Sequence, residues 1–219
     1  MPKKRHSKLH ILITAGPTRE YLDSVRFISN PSSGKMGYAL AMAAALRGHR
    51  VTLVSGPVFL APPRGVDLVA VETGEDMSAA AKRAFKTADG AIFCAAVCDY
   101  RPRKRAGRKL PKSKAGLKLD LVPTEDIAAS LGRIKGRRAT ICFALEDHHG
   151  RRKAEAKLAA KHADAIVLNG PENVGAAKAA VQLLQKGGNG RIGRLHRKPL
   201  WQLELCAGWR RFWRTVASE

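Results

Sequence analysis

The chain has 219 residues, and its 40 Lys plus Arg against 18 Asp plus Glu leave a formal net charge of +22. That length suits one domain, at most with an extension, and a chain of this size buries enough surface to need no disulfide staples. With 45% hydrophobic residues it is no disordered polyelectrolyte, and its longest uncharged apolar run, Tyr38–Leu46, falls far short of the ~20 residues that span a bilayer.

Residues 1–8 form a basic tail, and 9–219 are expected to form a single domain. Leu9–Thr14 reads as a strand. Its apolar stretch Ile11–Ala15 stops at Gly16-Pro17, too soon for a secretory leader, so a cytoplasmic protein with no membrane partner is expected. A long loop, Ala15–Lys35, leads into a predicted helix over Met36–Arg47, closed by Gly48, and Val51–Val54 is the next strand. Val66–Val71 is a third strand. Thr73 then N-caps a helix whose first turn carries Glu75 and Asp76, where carboxylates suit the helix dipole. Ala91–Val97 lacks alternation, as a strand covered on both faces does.

Residues 101–116 are too basic and too punctuated by Gly and Pro for a core element, so they read as a flap. Leu117–Val122 alternates and has one wet face. Pro123-Thr124 is predicted to open a helix through Leu131, followed by a strand over Thr140–Leu145. Arg151–His162 reads as a helix and Asp164–Leu168 as a buried strand. Beyond Asn169 the pattern weakens: Val181–Leu184 is a strand, Gly187–Gly190 a turn, and Pro199–Val216 a terminal helix. This βαβα order predicts an α/β, three-layer, Rossmann-like fold with a mostly parallel sheet.

The positive charge is concentrated. Residues 101–118 hold nine basic residues and no acid, positions 3–8 add four, and 191–214 add seven against the single Glu204. Such patches attract polyanions, which makes a non-catalytic polyanion- or nucleic-acid-binding protein the competing class. The aromatics do not interleave with the basic run as a single-strand binder requires; only Tyr100 borders it. Any nucleic-acid binding is expected to be non-specific. Cys94, Cys98, Cys142 and Cys206 show no paired spacing, and Cys94 and Cys98 read as small buried hydrophobes. His148 and His149 are adjacent and point in different directions on any regular element, so no protein-held metal is expected.

In open parallel sheets, ligands bind beyond the carboxyl ends of the strands. The Ala15–Lys35 loop is far longer than the usual ~2–6 residues, which suits a binding role. It ends Asn30-Pro31-Ser32-Ser33-Gly34-Lys35-Met36-Gly37, where small residues and a helix N-terminus suit an anion. The bland reading is an N-cap built from Ser32 and Ser33. Gly34-Lys35 lacks the Ser or Thr of a P-loop, and the absence of GxGxxG speaks against a dinucleotide-dependent reductase.

Ile11–Glu20 with Gly16-Pro17-Thr18-Arg19-Glu20, Val25–Gly37, Val54-Ser55-Gly56-Pro57 and Ala95-Ala96-Val97-Cys98-Asp99-Tyr100 closely resemble the phosphopantothenoylcysteine synthetase family. The resemblance covers roughly Leu9 to Asn169 and begins at the first strand, so neither the flavin-dependent decarboxylase often fused ahead of it nor FMN is expected here. It implies a ligase of coenzyme A synthesis that couples 4′-phosphopantothenate to cysteine through an acyl-nucleotide, with release of pyrophosphate. CTP with Mg²⁺ is the expected nucleotide, and ATP the alternative.

By resemblance, Asn30 and Arg26 lie at the pantothenate carboxylate and acyl phosphate, with Ala95 and Ala96 beside them. Ser32, Ser33 and Gly34 line the same loop. Lys109 is the expected triphosphate lysine with Lys112 as its helper, Asp99 matches a nucleotide-site acid, and Phe143 a nucleobase contact. An Asn amide orients a carboxylate without titrating, and Arg supplies a forked cationic clamp. Family members are dimers whose sites border the subunit interface, which implies a homodimer whose flap, about 101–122, orders as nucleotide binds. Several positions depart from the family pattern. Pro111 replaces a flap Lys, Cys98 an Ala, Ala144-Leu145-Glu146-Asp147 an Ala-Ala-Glu-Thr, and Asn169-Gly170 an Asn-Asp pair.

Overall fold

The computed structural model describes residues 8–114, 116–146, 149–170, 178–185 and 193–199. The first half runs β1 (His10–Ala15), β2 (Arg19–Tyr21), β3 (Phe27–Ser29), α1 (Lys35–Leu46), β4 (Arg50–Ser55), β5 (Asp67–Ala70), α2 (Gly74–Phe85) and β6 (Gly90–Phe93). The second half runs β7 (Tyr100–Pro102), β8 (Leu121–Pro123), α3 (Ile127–Arg133), β9 (Ala139–Leu145), α4 (Gly150–Ala160), β10 (Ala165–Asn169), β11 (Lys178–Gln185) and β12 (Gly193–Pro199).

Alternation along β1 sets the layers. Ile11, Ile13 and Ala15 turn to one face, where they meet Leu40, Ala41 and Ala44 of α1. Leu12 turns to the other, where it joins Met77 and Ala81 of α2, Leu131 of α3 and Ala154 of α4. Each fully buried aliphatic side chain contributes about 1.5–3 kcal/mol, so the two clusters clamp the sheet from both sides. The eight strands run in the order β12-β11-β10-β9-β6-β1-β4-β5. All pairs from β10 to β5 are parallel, and β11 and β12 extend the sheet antiparallel beyond β10. His10, buried at the start of β1, is satisfied by Thr52 Oγ1 at 2.9 Å and the Thr87 carbonyl at 3.0 Å.

The predicted three-layer α/β fold is therefore present, with local corrections. The long first loop contains a small antiparallel hairpin, β2–β3. The strand expected over Ala91–Val97 ends at Phe93, because the backbone beyond it turns to bond the first loop. Of Leu117–Val122 only Leu121 and Val122 are extended, as part of β8, paired with β7. Pro123 belongs to that strand, and the helix starts at Ile127 under an Asp126 cap that bonds Ala129 N at 3.0 Å. Pro199 closes a strand rather than opening a helix. The remainder of that predicted helix, the Gly187–Gly190 turn, His148, Cys206 and positions 1–7 of the basic tail lie outside the described residues.

Candidate functional site

The chain leaves β1 for β4 and β5 on one side and returns to β6 on the other. The carboxyl ends of β1 and β6 thus flank the point where the winding reverses, the place where doubly wound sheets open a crevice for ligands. Two loops meet there and are laced together. Cys94 N donates to Thr14 O at 3.2 Å, Ala96 N to Gly16 O at 2.9 Å, and Cys98 N to Thr18 Oγ1 at 3.0 Å. Asn30, just beyond β3, donates its amide Nδ2 to Val97 O at 3.0 Å. The structure therefore ties Asn30 to Val97, in the turn that follows β6.

The same crevice is closed on one side by α1. Gly37 is required there because a Cβ would stand 2.5 Å from the Ala15 Cβ, so the helix end presses on the end of β1. Gly34 is the N-cap, with φ 71°, and no side chain caps the helix. Ser32 Oγ and Ser33 Oγ accept only from Gly34 N at 3.4 Å and Lys35 N at 3.5 Å. The serine N-cap is thus corrected: the cap residue is Gly34, which has no side chain, and of the first helical amides Lys35 N meets Ser33 Oγ only at 3.5 Å.

Helix α2 is finished differently. Thr73 and Asp76 form a reciprocal capping box, and the buried Glu20 on β2 accepts from Gly74 N at 2.8 Å. Hydrogen bonds from Thr73 hold the Asp76 carboxyl below its ordinary value.

Arg26, in the turn of the β2–β3 hairpin, does not project freely into the crevice. Its Nε donates to Asp23 Oδ2 at 2.9 Å, and its Nη2 donates both to that oxygen and to Leu110 O of the flap, the latter at 2.7 Å. Leu110 N in turn donates to Asp23 Oδ2 at 3.1 Å. Three of the five guanidinium N–H groups are engaged, which leaves Nη1 for a ligand. The hydrogen bonds from Arg26, Val25 and Leu110 hold the Asp23 carboxyl well below the usual carboxylate range. Further along, Ala106 N donates to Leu22 O at 2.9 Å and Arg105 stacks 4.5 Å from the Tyr21 ring centroid. Arg103 pairs with Asp120 at 2.6 Å.

Lys109, Lys112 and Asp99 are exposed, and their charged groups make no hydrogen bond or ion pair with the described residues. Phe143, half-buried on β9, is one residue beyond Cys142, the last β9 partner of β6, and packs beside the α1-side core. The structure therefore links Asn30 with Val97 and Arg26 with the flap, while Phe143 and Asp99 share the same end of the sheet without bonding either group. Asp23 is the member of this contact that sequence reading missed; an Asp followed two and three residues on by the N–H groups it caps is an Asx turn, the one available signal.

Burial pushes the thiols of Cys94 and Cys142 up to about 12 and that of Cys98 in the same direction, so none is a nucleophile at neutral pH. A separate concavity of about 730 Å³ lies against β5 and α2, lined by Val58, Leu60, Leu68 and Arg83 among others. None of the sequence-predicted site residues lines it.

Residues 6–200 match the family model described as the DNA/pantothenate metabolism flavoprotein C-terminal domain. The chain belongs to this family. The coenzyme A biosynthesis bifunctional protein CoaBC of Bacillus subtilis is 43% identical over 172 residues, covering 78% of this chain and 42% of that protein. CoaBC of Escherichia coli is 45% identical over 165 residues, covering 74% and 41%. This domain therefore spans less than half the length of the curated relatives it matches. A crystal structure of the C-terminal domain of a CoaBC is 36% identical with a TM-score of 0.78, covering 96% of this chain and 94% of that one. A Cab2 mutant in complex with phosphopantothenate-cysteine shares the fold, with a TM-score of 0.79 at 17% identity, covering 96% and 88%. Among the described residues, no helix is long and apolar enough to cross a membrane.

Proposed function

We propose that the chain is a phosphopantothenate–cysteine ligase of coenzyme A biosynthesis. The observation that carries this reading is the switch-point crevice. There Asn30 is fixed against the Ala95–Val97 turn, beside a helix end with no side-chain cap, in a domain that covers nearly all of a CoaBC C-terminal domain. The pantothenate carboxylate attacks the nucleotide α-phosphate and pyrophosphate leaves; the cysteine amine then attacks the acyl carbon, forms the amide, loses a proton and displaces the nucleoside monophosphate. Both steps gather anions, so fixed donors that neutralise developing charge are the chemistry required.

Asn30 orients the carboxylate without titrating, since one amide N–H is held by Val97 O and the rest of the amide stays available. Arg26 offers Nη1 to the acyl phosphate. Lys109, with Lys112, meets the triphosphate, the α1 N-terminus and the Ser32-Ser33-Gly34 turn receive a phosphate, and Ala95 and Ala96 keep side chains small where the ligand lies against backbone. Phe143 and Asp99 serve the nucleoside. Mg²⁺ is expected to enter on the nucleotide's phosphates.

CTP is the nucleotide we assign, with ATP as the competitor. Phosphopantothenate, cysteine, Mg²⁺ and either nucleotide should yield pyrophosphate with this protein, faster with CTP; no release with either nucleotide refutes the ligase.

The active form is a homodimer. Val25, Phe27, Tyr100, Leu117, Leu119 and Leu121 are all exposed on or beside the two hairpins, where β2 packs against β7. A cluster of that kind seeks a partner surface. Light scattering at micromolar concentration should give twice the 23.7 kDa chain mass; a monomer with and without nucleotide contradicts the assignment.

A further inference from the structure

We propose that Asp23 is a positioning residue: with Arg26 it grips both main-chain polar atoms of Leu110 and so sets where the flap presents Lys109 to the crevice. The proposal rests on the reading of Lys109 as the triphosphate lysine. Asp23 is fully buried, and its carboxylate is surrounded by donors. Oδ1 accepts from Val25 N and Arg26 N, each at 2.8 Å, while Oδ2 accepts from the Arg26 guanidinium and from Leu110 N. A buried carboxylate is costly unless so paired, and one of its five hydrogen bonds comes from a segment 87 residues away in sequence. A local turn needs only the Oδ1 half.

The flap side of the contact is prepared by its own sequence. Leu110 precedes Pro111, which disfavours helical backbone at Leu110 and favours an extended one. An extended residue points its N–H and C=O to the same side, as in a strand pair. Asp23 Oδ2 takes the N–H and Arg26 Nη2 the C=O, so the ion pair stands in for a neighbouring strand at that one residue. The flap otherwise carries nine cations between 101 and 118, and a segment charged in that way repels itself and extends into solvent. Asp23 is a fixed anion at its middle. Pro111, a departure from the family's flap pattern, thus takes on a role: it gives up one charge and shapes the residue that is gripped.

Asp23→Asn keeps Oδ1 for the turn but puts an NH₂ donor where Leu110 N–H needs an acceptor. In the full chain, tryptic cleavage within 103–114 should accelerate about tenfold. Steady-state kcat for pyrophosphate release should fall about tenfold or more, while in a Lys109→Ala background the same change should cost less than about threefold. Equal losses in the two backgrounds overturn the positioning of Lys109, and unchanged flap cleavage overturns the clasp. If Lys109→Ala alone leaves kcat intact, the catalytic reading of Lys109 fails, while the cleavage rate still judges the clasp. Should Asp23→Asn not fold, Pro111→Gly frees Leu110 without touching the buried carboxylate. It should speed flap cleavage in the same direction, and an unchanged rate there also overturns the clasp.

Discussion

Helices α1 and α2 both begin at the carboxyl edge of the sheet, yet their first turns are completed in opposite ways. The α2 end is closed by the protein itself: Thr73 and Asp76 each accept the other's backbone N–H, Glu75 adds charge, and Glu20 reaches across from β2 to Gly74 N. The α1 end has a left-handed glycine at its cap, no acid in its first turn and no side-chain cap. A helix N-terminus carries about half a positive charge whether or not it is capped. The protein therefore neutralises that charge with its own carboxylates where the role is structural, and leaves it unneutralised where the crevice opens. On the proposed reading, the difference separates residues that hold the fold from residues that would meet the ligand.

Substitutions around the open end should cost activity and little stability. Lys109→Ala should lower kcat about 10²–10³-fold, the usual cost of one transition-state donor, with small changes in KM. Lys104→Ala, in the same basic run, should change rates only a few-fold and in a salt-dependent way. Equivalent behaviour of the two lysines would reduce the flap to a diffuse field. Asn30→Asp removes the donor to Val97 O and sets a second anion beside the substrate carboxylate, so single-turnover acyl-nucleotide formation should drop about 10²-fold.

Gly37→Ala tests the packing beneath that end. Its new methyl would stand 2.5 Å from the Ala15 Cβ, so urea unfolding should show a loss of about 1–3 kcal/mol, together with a raised KM for nucleotide. At the closed end, Thr73→Ala should cost about 1 kcal/mol and leave kcat unchanged. That cost has a pH signature. The Thr73 hydroxyl, which donates to Asp76 Oδ2 at 2.7 Å, helps hold the Asp76 carboxyl below its ordinary 3.8. A lowered folded pKa stabilises fully above the unfolded value and is lost as the pH falls through the folded one. The gap between wild type and Thr73→Ala should therefore narrow below about pH 4 in parallel urea titrations, and a gap constant down to pH 2 would show that Asp76 plays no part. The smallest effect concerns the thiols: with burial raising Cys94 and Cys142 to about 12, peptide mapping should find neither alkylated in the native protein at pH 7.5.

The parts of this molecule that periodicity governs were readable from residues alone. The strands β1, β4, β9 and β10, the helices α1, α2 and α4 and the Thr73 cap follow from apolar spacing and local capping chemistry. What could not be read depends on partners distant in sequence. β6 ends at Phe93 because the amides of Cys94 and Ala96 turn to Thr14 and Gly16, and no feature of Ala91–Val97 itself marks that stop. The β2–β3 hairpin has three-residue strands, too short for any period to show. Asp126, rather than Pro123-Thr124, starts α3 because β8 claims Pro123 for its pairing with Tyr100. In the site, the resemblance supplied Asn30, Arg26 and Lys109. It did not supply Asp23, whose partner Leu110 lies in a segment that reads as solvated charge.

The lacing of the crevice also has a consequence for how the chain acquires it. Two bonds that shape the first loop, Asn30 to Val97 O and Cys98 N to Thr18 Oγ1, span 67 and 80 residues of chain. Closing loops of that length costs chain entropy before any contact is made, and parallel pairing such as β1 with β6 is slow for the same reason. As the polypeptide emerges during synthesis, the first thirty residues can form their hairpin but lack the partners at Val97 and Cys98. Pulsed hydrogen exchange during refolding should protect the amide of Cys98, which bonds Thr18, no earlier than the β1–β6 ladder, and prior protection would sink this order. Ligand competence is on this account the last property the domain gains.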